Sequence, residues 1–271
     1  FIDAYRQMLA LLHEESIENQ WPPHCLHSVD EPSGGNKGEA VVETLKLAKD
    51  AGFETFNTCY RDFVRNYLDP YLDFRCYNNI AFGHMRTPES TAELREETLA
   101  AGDHFWWYGS GCYTNGGFIQ DGNVIANRFM TGFHLWRTGA TGAWSWTFLR
   151  PKDDPYDDFD GASQGEAKDA CIAYPTPDGK ALVPTLQWEG IREGIDDYRY
   201  LYTLQALIDE AKASDAPRAV AAATKAQTAL TKLLDEMPWL CTHGQFTNGD
   251  ANRARQEVIR LALEVGASMS Q

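Results

Sequence analysis

The feature that most constrains this chain is an alternation. From residue 1 to residue 148, helix-like and strand-like segments take turns, joined by short connections. Residues 1–18 read as a helix with Tyr5, Met8, Leu9 and Leu12 on one face, and Trp21-Pro22-Pro23 ends it. A short strand from His24 to Val29 follows, then a helix over 36–51 whose buried stripe is Val41, Leu45 and Ala48 and which stops at Gly52. Phe53 to Cys59 and Asp73 to Asn78 read as strands. Thr87-Pro88-Glu89 opens a helix across Glu93 to Ala101, closed by Gly102. His104 to Tyr108 is an aromatic strand, and Asn123 to Arg137 is a helix ending at Gly139. Ala143 to Phe148 is a strand with Trp144 and Trp146 on one side, because strand side chains alternate.

About five strand-then-helix units of this kind are the pattern of a parallel sheet or a (β/α) barrel. A closed TIM-type (β/α)8 barrel needs eight strands, so the α/β fold expected is the C-terminal portion of one, with an edge that requires covering. The opening FIDAYRQMLALLHEE has no initiator Met, begins inside a helix and carries acids unlike a signal peptide. The expectation is that the mature start, any targeting segment and upstream elements lie outside the chain. After the last strand comes a polar stretch over 150–184, with "RPKDDPYDDFDG" and "YPTPDGK", which reads as a long acidic loop. Helices then run over Leu186–Lys212, 216–236 and 250–267, the last capped by Asp250. The expected division is a catalytic barrel portion over 1–212 and C-terminal helices packed on it over 213–271.

With 271 residues, 43% of them hydrophobic, the chain can bury one large core. Its net charge of −15 argues against nucleic acid and against anionic membrane surfaces. No apolar run reaches the length of a bilayer span. The six cysteines are scattered without disulfide-framework or CxxC spacing, so free and mostly buried thiols are expected.

The strongest local signal is Asp30-Glu31-Pro32, at the C-terminal end of the first strand, where barrel enzymes place their chemistry. Consecutive residues of a regular strand point to opposite faces, so both acids can serve one site only if the backbone departs from regularity. Pro32 restrains Glu31, and Gly34-Gly35 free the chain just beyond. The plainer alternative is an exposed turn whose acid caps the next helix. Two carboxyls sharing a pocket resist simultaneous ionisation, which keeps one available as a general acid. A standard retaining glycosidase sets its carboxyls about 5–5.5 Å apart across the sugar. Adjacent acids better suit a reaction in which the substrate's own 2-acetamido group attacks, one acid protonating the leaving oxygen and the other holding the acetamide N–H.

Aromatic residues are the second signal. Trp106, Trp107 and Tyr108 end one strand and Trp144 and Trp146 the next, and indole faces stack on the C–H faces of sugars. Each is also an ordinary core residue, and one of Trp106 and Trp107 must point away from the barrel interior. Tyr60 and Tyr108 are candidate hydroxyl donors to a substrate carbonyl, and Asn78 and Asn79 are turn formers or sugar ligands. The other patterns are weak. The aspartates of "DDPYDDFDG" do not follow EF-hand spacing, and the histidines lack HxH and HExxH. "YGSGC" lacks the first glycine of a nucleophile elbow, and "GSGCYTNGG" is not a phosphate loop.

Three stretches resemble glycoside hydrolase family 123 in order along the chain. "HSVDEPS" is similar to its strand-end acid dyad. "RFMTGFHLWRTGATGAWSWTF" carries Arg128, Trp136, Gly139, Gly142 and Trp146 of its R…W…G…G…W segment. "LQWEGIREGIDDYRYL" matches its helix signature through Glu189, Arg192, Glu193, Gly194, Asp196, Asp197 and Tyr198. The resemblance implies a (β/α)8 catalytic domain and a bacterial, exo-acting N-acetyl-β-galactosaminidase that retains configuration through substrate assistance, with no metal and no cofactor. By match to the dyad, Glu31 would be the general acid/base and Asp30 would orient the acetamido group, with Tyr60 the first candidate to hold the acetamido oxygen. The partner implied is a glycan with a terminal amino sugar, and the setting a secreted or periplasmic one. The family's N-terminal β-sandwich and first barrel strands have no counterpart in the chain. The "REGIDDYRYL" charges, with Arg192 and Asp196 four apart, read as scaffold packed on the barrel. Two alternatives stay open: a carbohydrate-binding barrel without catalysis, and a glycosidase of the same fold acting on a polysaccharide without acetamido groups.

Overall fold

A computed structural model describes residues 2–32, 36–59, 65, 67–78, 84–110, 124–146, 148–150, 170–240 and 245–270. Two compact units divide the chain: Phe1–Gly109 with Gly139–Trp144, and Ser110–Thr138 with Ser145–Gln271. The boundary expected after residue 212 falls inside the second of these.

The first unit begins with helix α1 (Ile2–Glu18), strand β1 (Cys25–His27), helix α2 (Asn36–Asp50) and strand β2 (Glu54–Cys59). Strand β3 (Phe74–Asn78), helix α3 (Pro88–Ala100), strand β4 (His104–Ser110) and strand β5 (Gly142–Trp146) follow. All five strands form one sheet in the order β1-β2-β3-β4-β5, and the pairings β1–β2, β2–β3 and β3–β4 are parallel. Sequence neighbours that are also sheet neighbours, with helices between them, are the winding of a TIM-type barrel, here five of its eight strands.

Local chemistry explains the elements. Thr87 caps α3 through a reciprocal capping box with Ser90, with Pro88 in the first turn. Gly52, Gly102 and Gly139 stand where the sequence places helix ends, at φ of +94°, +83° and +65°. Leu9 of α1 is fully buried against Leu47 and Ala48 of α2 and Phe53, with Tyr5 and Leu12 beside it. Met8, expected on this stripe, is 45% exposed, because the buried line follows positions 5, 9, 12 and 16, and Ser16 is buried in its place.

The two faces of the sheet differ. Thr55, Asn57, Arg75, Tyr77, Phe105 and Trp107 are buried on one. There Tyr77 Oη donates to Asp69 Oδ2 at 2.8 Å and lies 3.5 Å from Thr98 Oγ1 of α3, so this is the helix-covered face. The other face carries Phe56, Phe74, Cys76, Trp106 and Tyr108. On it Phe56 of β2 and Trp144 of β5 stack with centroids 5.1 Å apart. Three strand spacings of a flat sheet would separate those strands by about 14 Å. The contact shows that the sheet curls, with this face concave.

In the second unit, the single helix expected over 123–137 is instead α4 (Val124–Phe129), a π turn (Met130–His134) and α5 (Leu135–Thr138). The π turn lies where the helix meets helix α6 (Leu186–Ala213), backbone against backbone. A Cβ on Gly194 would fall 2.5 Å from the Arg128 carbonyl oxygen, so only glycine allows this crossing. The stretch expected as a long acidic loop is bordered by β6 (Leu149–Arg150) and β7 (Ala170–Cys171), antiparallel, and holds a hairpin of β8 (Ala173–Pro175) and β9 (Leu182–Pro184). Asp178 closes the hairpin, accepting from Thr176 Oγ1 at 2.6 Å and from the Lys180 N–H at 3.2 Å, with Gly179 at φ +67°. Helix α7 (Pro217–Asp235) and helix α8 (Asn248–Met269) pack with α6 through Leu201, Leu204, Ile208, Ala223, Val258 and Leu261, all buried. Thr247 rather than Asp250 caps α8, and Asp250 completes the capping box from the third position.

Candidate functional site

His27, the last residue of β1, pairs in register with Phe56, so the chain leaving β1 runs beside Asn57 and Thr58 of β2. Those two residues hold it. Asn57, fully buried, accepts from the Val29 N–H at 3.2 Å and donates to the Thr58 carbonyl at 2.8 Å. Thr58 Oγ1 accepts from the Glu31 N–H at 3.0 Å and donates to Asp30 Oδ1 at 3.0 Å. Ser28 is tied through its hydroxyl to Thr44 of α2.

Between these anchors Glu31 sits at φ +38°, a region that L residues rarely occupy, immediately before a buried Pro32. This is the irregularity that adjacent acids need in order to turn to one face. The Glu31 carboxylate accepts a short hydrogen bond from Tyr108 Oη. Tyr108 stands on the concave face of β4, three strands from β1 in the sheet order. Thr58 is two residues beyond Phe56 and so shares that face. Both carboxyls are therefore fastened from the concave side by hydroxyls of two different strands.

The aromatic candidates separate. Trp106 lies on the concave face, one pleat before Tyr108, with its ring 4.4 Å from Phe74 and 5.7 Å from Phe56. Gly142 of β5 lets it approach, since a Cβ there would fall 2.6 Å from the indole. Trp144, 48% exposed, completes the layer at 6.0 Å from Trp106. Trp107 faces the other way and is buried on the helix side, 3% exposed, away from the acids. Tyr60, Asn79 and the side chain of Trp146 lie outside the described residues. His27 rests 5.1 Å from the Phe56 ring, and desolvation holds its pKa below the ordinary histidine range against the opposing pull of Asp30.

Two groups were missed from sequence. Asn57 and Thr58 are the first. Their signal was a polar pair near the end of the strand "FETFNTC", but threonine is also an ordinary strand former. The second is the pairing inside the second unit. Arg128 of α4 grips Asp197 of α6 through two hydrogen bonds, Nε–Oδ2 2.6 Å and Nη2–Oδ1 3.2 Å, with both side chains buried. Arg255 of α8 adds a bond to Asp197 and donates to the Glu193 carbonyl at 2.8 Å. Arg192 stays on the surface, 2.8 Å from Glu189 and 3.6 Å from Asp196.

Among the described residues no three of His, Cys, Asp and Glu come together as a metal site, and no helix is long and apolar enough to cross a membrane. The two carboxyls hang from the C-terminal end of a strand in a curled parallel sheet, the end at which barrel enzymes place their chemistry. Residues 1–204 match the catalytic domain of glycoside hydrolase 123, and the chain belongs to that family. Among curated proteins, no relative matches the chain.

Proposed function

We propose that the protein removes terminal β-linked N-acetylgalactosamine from glycans with retention of configuration, using the substrate's acetamido group as nucleophile. The observation that carries this reading is the division of labour between neighbours: Asp30 is bound by Thr58 and Glu31 by Tyr108. Two carboxyls attached to adjacent residues do not flank an anomeric carbon in the way that a nucleophile and an acid do. They suit an acid beside an acceptor.

In the proposed reaction Glu31, protonated, gives its proton to the glycosidic oxygen as the bond from C1 breaks. The acetamido carbonyl oxygen attacks C1 and closes an oxazolinium ring, while Asp30 accepts the acetamide N–H and stabilises the positive charge. Glu31, now a carboxylate, takes a proton from water as that water opens the ring at C1, and the starting configuration is restored. Tyr108 occupies one oxygen of Glu31 and leaves the other for these transfers. Trp144 offers an exposed indole for sugar stacking, and Tyr60 remains the sequence's candidate for the acetamido oxygen.

Comparison of an aryl N-acetyl-β-galactosaminide with the aryl β-galactoside tests the reading, together with inhibition by a thiazoline mimic of the cyclised intermediate. The expected result is hydrolysis of the acetamido glycoside alone and inhibition by the thiazoline. Equal cleavage of both glycosides would exclude substrate assistance, and binding without turnover would favour a non-catalytic carbohydrate-binding barrel.

A further inference from the structure

We infer that Thr58 is a positioning residue for the reaction, setting the division of roles between the two acids through one hydroxyl. The inference rests on the function proposed above and deepens it. A hydroxyl carries one proton and two lone pairs. Thr58 uses the proton on Asp30 Oδ1 and a lone pair on the Glu31 N–H, both at 3.0 Å. Three consequences follow.

First, the N–H···O–H···O⁻ relay is ordered in one direction, and each bond polarises the next. Second, Asp30 has one oxygen occupied by a donor, which leaves Oδ2 to accept the acetamide N–H and fixes the plane of the carboxylate. Third, the bond to the Glu31 N–H holds that residue at φ +38°, the conformation that aims its side chain at Tyr108. Thr58 is itself fixed, because the buried Asn57 amide grips its carbonyl at 2.8 Å. The hydroxyl therefore sits on a rigid strand end and transmits that rigidity to a strained loop.

Three variants of the whole protein test this: Thr58→Val keeps the shape and loses the hydroxyl, Thr58→Ser keeps the hydroxyl and loses the methyl, and Thr58→Ala reports the same loss if the valine variant does not fold. Misplacing the acids by about 1 Å is expected to lower kcat on an aryl N-acetyl-β-galactosaminide about 100-fold in Thr58→Val. KM should stay within about 3-fold, since ground-state binding is not the interaction removed. Thiazoline affinity is expected to fall alongside kcat, and Thr58→Ser is expected to rescue both to within about 3-fold of the unaltered protein. Equal impairment of valine and serine variants, or unchanged kcat in Thr58→Val, would overturn the inference. Failure of the proposed function looks different: the unaltered protein would neither turn over a 2-acetamido glycoside nor bind the thiazoline, and the inference would fall with it.

Discussion

Asp69 shows how far burial moves a single residue in this fold. It is buried beside the helix-covered face, where burial raises its pKa from the ordinary 3.8 to about 6 despite the Tyr77 hydrogen bond and the nearby Arg75. Its Oδ1 has no hydrogen-bond partner among the described residues. An unfolded Asp releases its proton near 3.8 while the folded one keeps it until about 6. The folded state then binds more protons in that window, so the Asp69 contribution to stability falls as pH rises through it and is level above. The loss is on the order of 2–3 kcal/mol. Thermal unfolding across this range is expected to show the slope in the unaltered protein relative to Asp69→Asn, and a parallel pair of profiles would refute it. Asp69 could not be singled out from sequence, because its position depends on Tyr77 and Arg75 of a strand that follows it. Glu31 and Asp30 were legible as a pair because adjacency before Pro-x-Gly-Gly is a local fact. What holds them was not: the Tyr108 bond spans 77 positions in sequence.

At the scale of elements, the strands and helices of the first unit were legible because glycine and proline punctuate them and hydrophobic periods separate them. Elements whose form depends on a neighbour were read less well. The π turn at Met130–His134 follows from the crossing at Gly194, which lies some sixty residues on. The hairpin over 173–184 carried its own signal in Asp178-Gly179, masked by the acidic run before it. Crossing helices α4, α6 and α8 are joined by Arg128, Asp197 and Arg255. Removing one partner of a buried ion pair leaves an uncompensated charge, so Arg128→Met is expected to destabilise by about 3–5 kcal/mol. Arg192→Ala, on the exposed side of α6, is expected to leave the urea midpoint unchanged. A small effect for Arg128→Met would mean that Arg255 alone compensates Asp197.

At the scale of the whole molecule, the fold class was legible from the count and order of β/α units, and its curvature was not. Curvature appears only in contacts that skip strands, Phe56 with Trp144 and Glu31 with Tyr108. The same curvature decides the aromatics. Alternation along β4 required one of Trp106 and Trp107 to leave the concave face, and packing sends Trp107 to the helices. In the proposed reaction the adjacent acids, held by Thr58 and Tyr108, meet the substrate on this concave face. In that reaction Glu31 moves the proton. Measuring kcat/KM of Glu31→Gln on an aryl N-acetyl-β-galactosaminide tests it most directly. The expected result is a fall of about 10²–10⁴-fold, the loss of a positioned general acid/base, in a variant that melts like the unaltered protein. Hydrolysis by Glu31→Gln at the rate of the unaltered protein would contradict it.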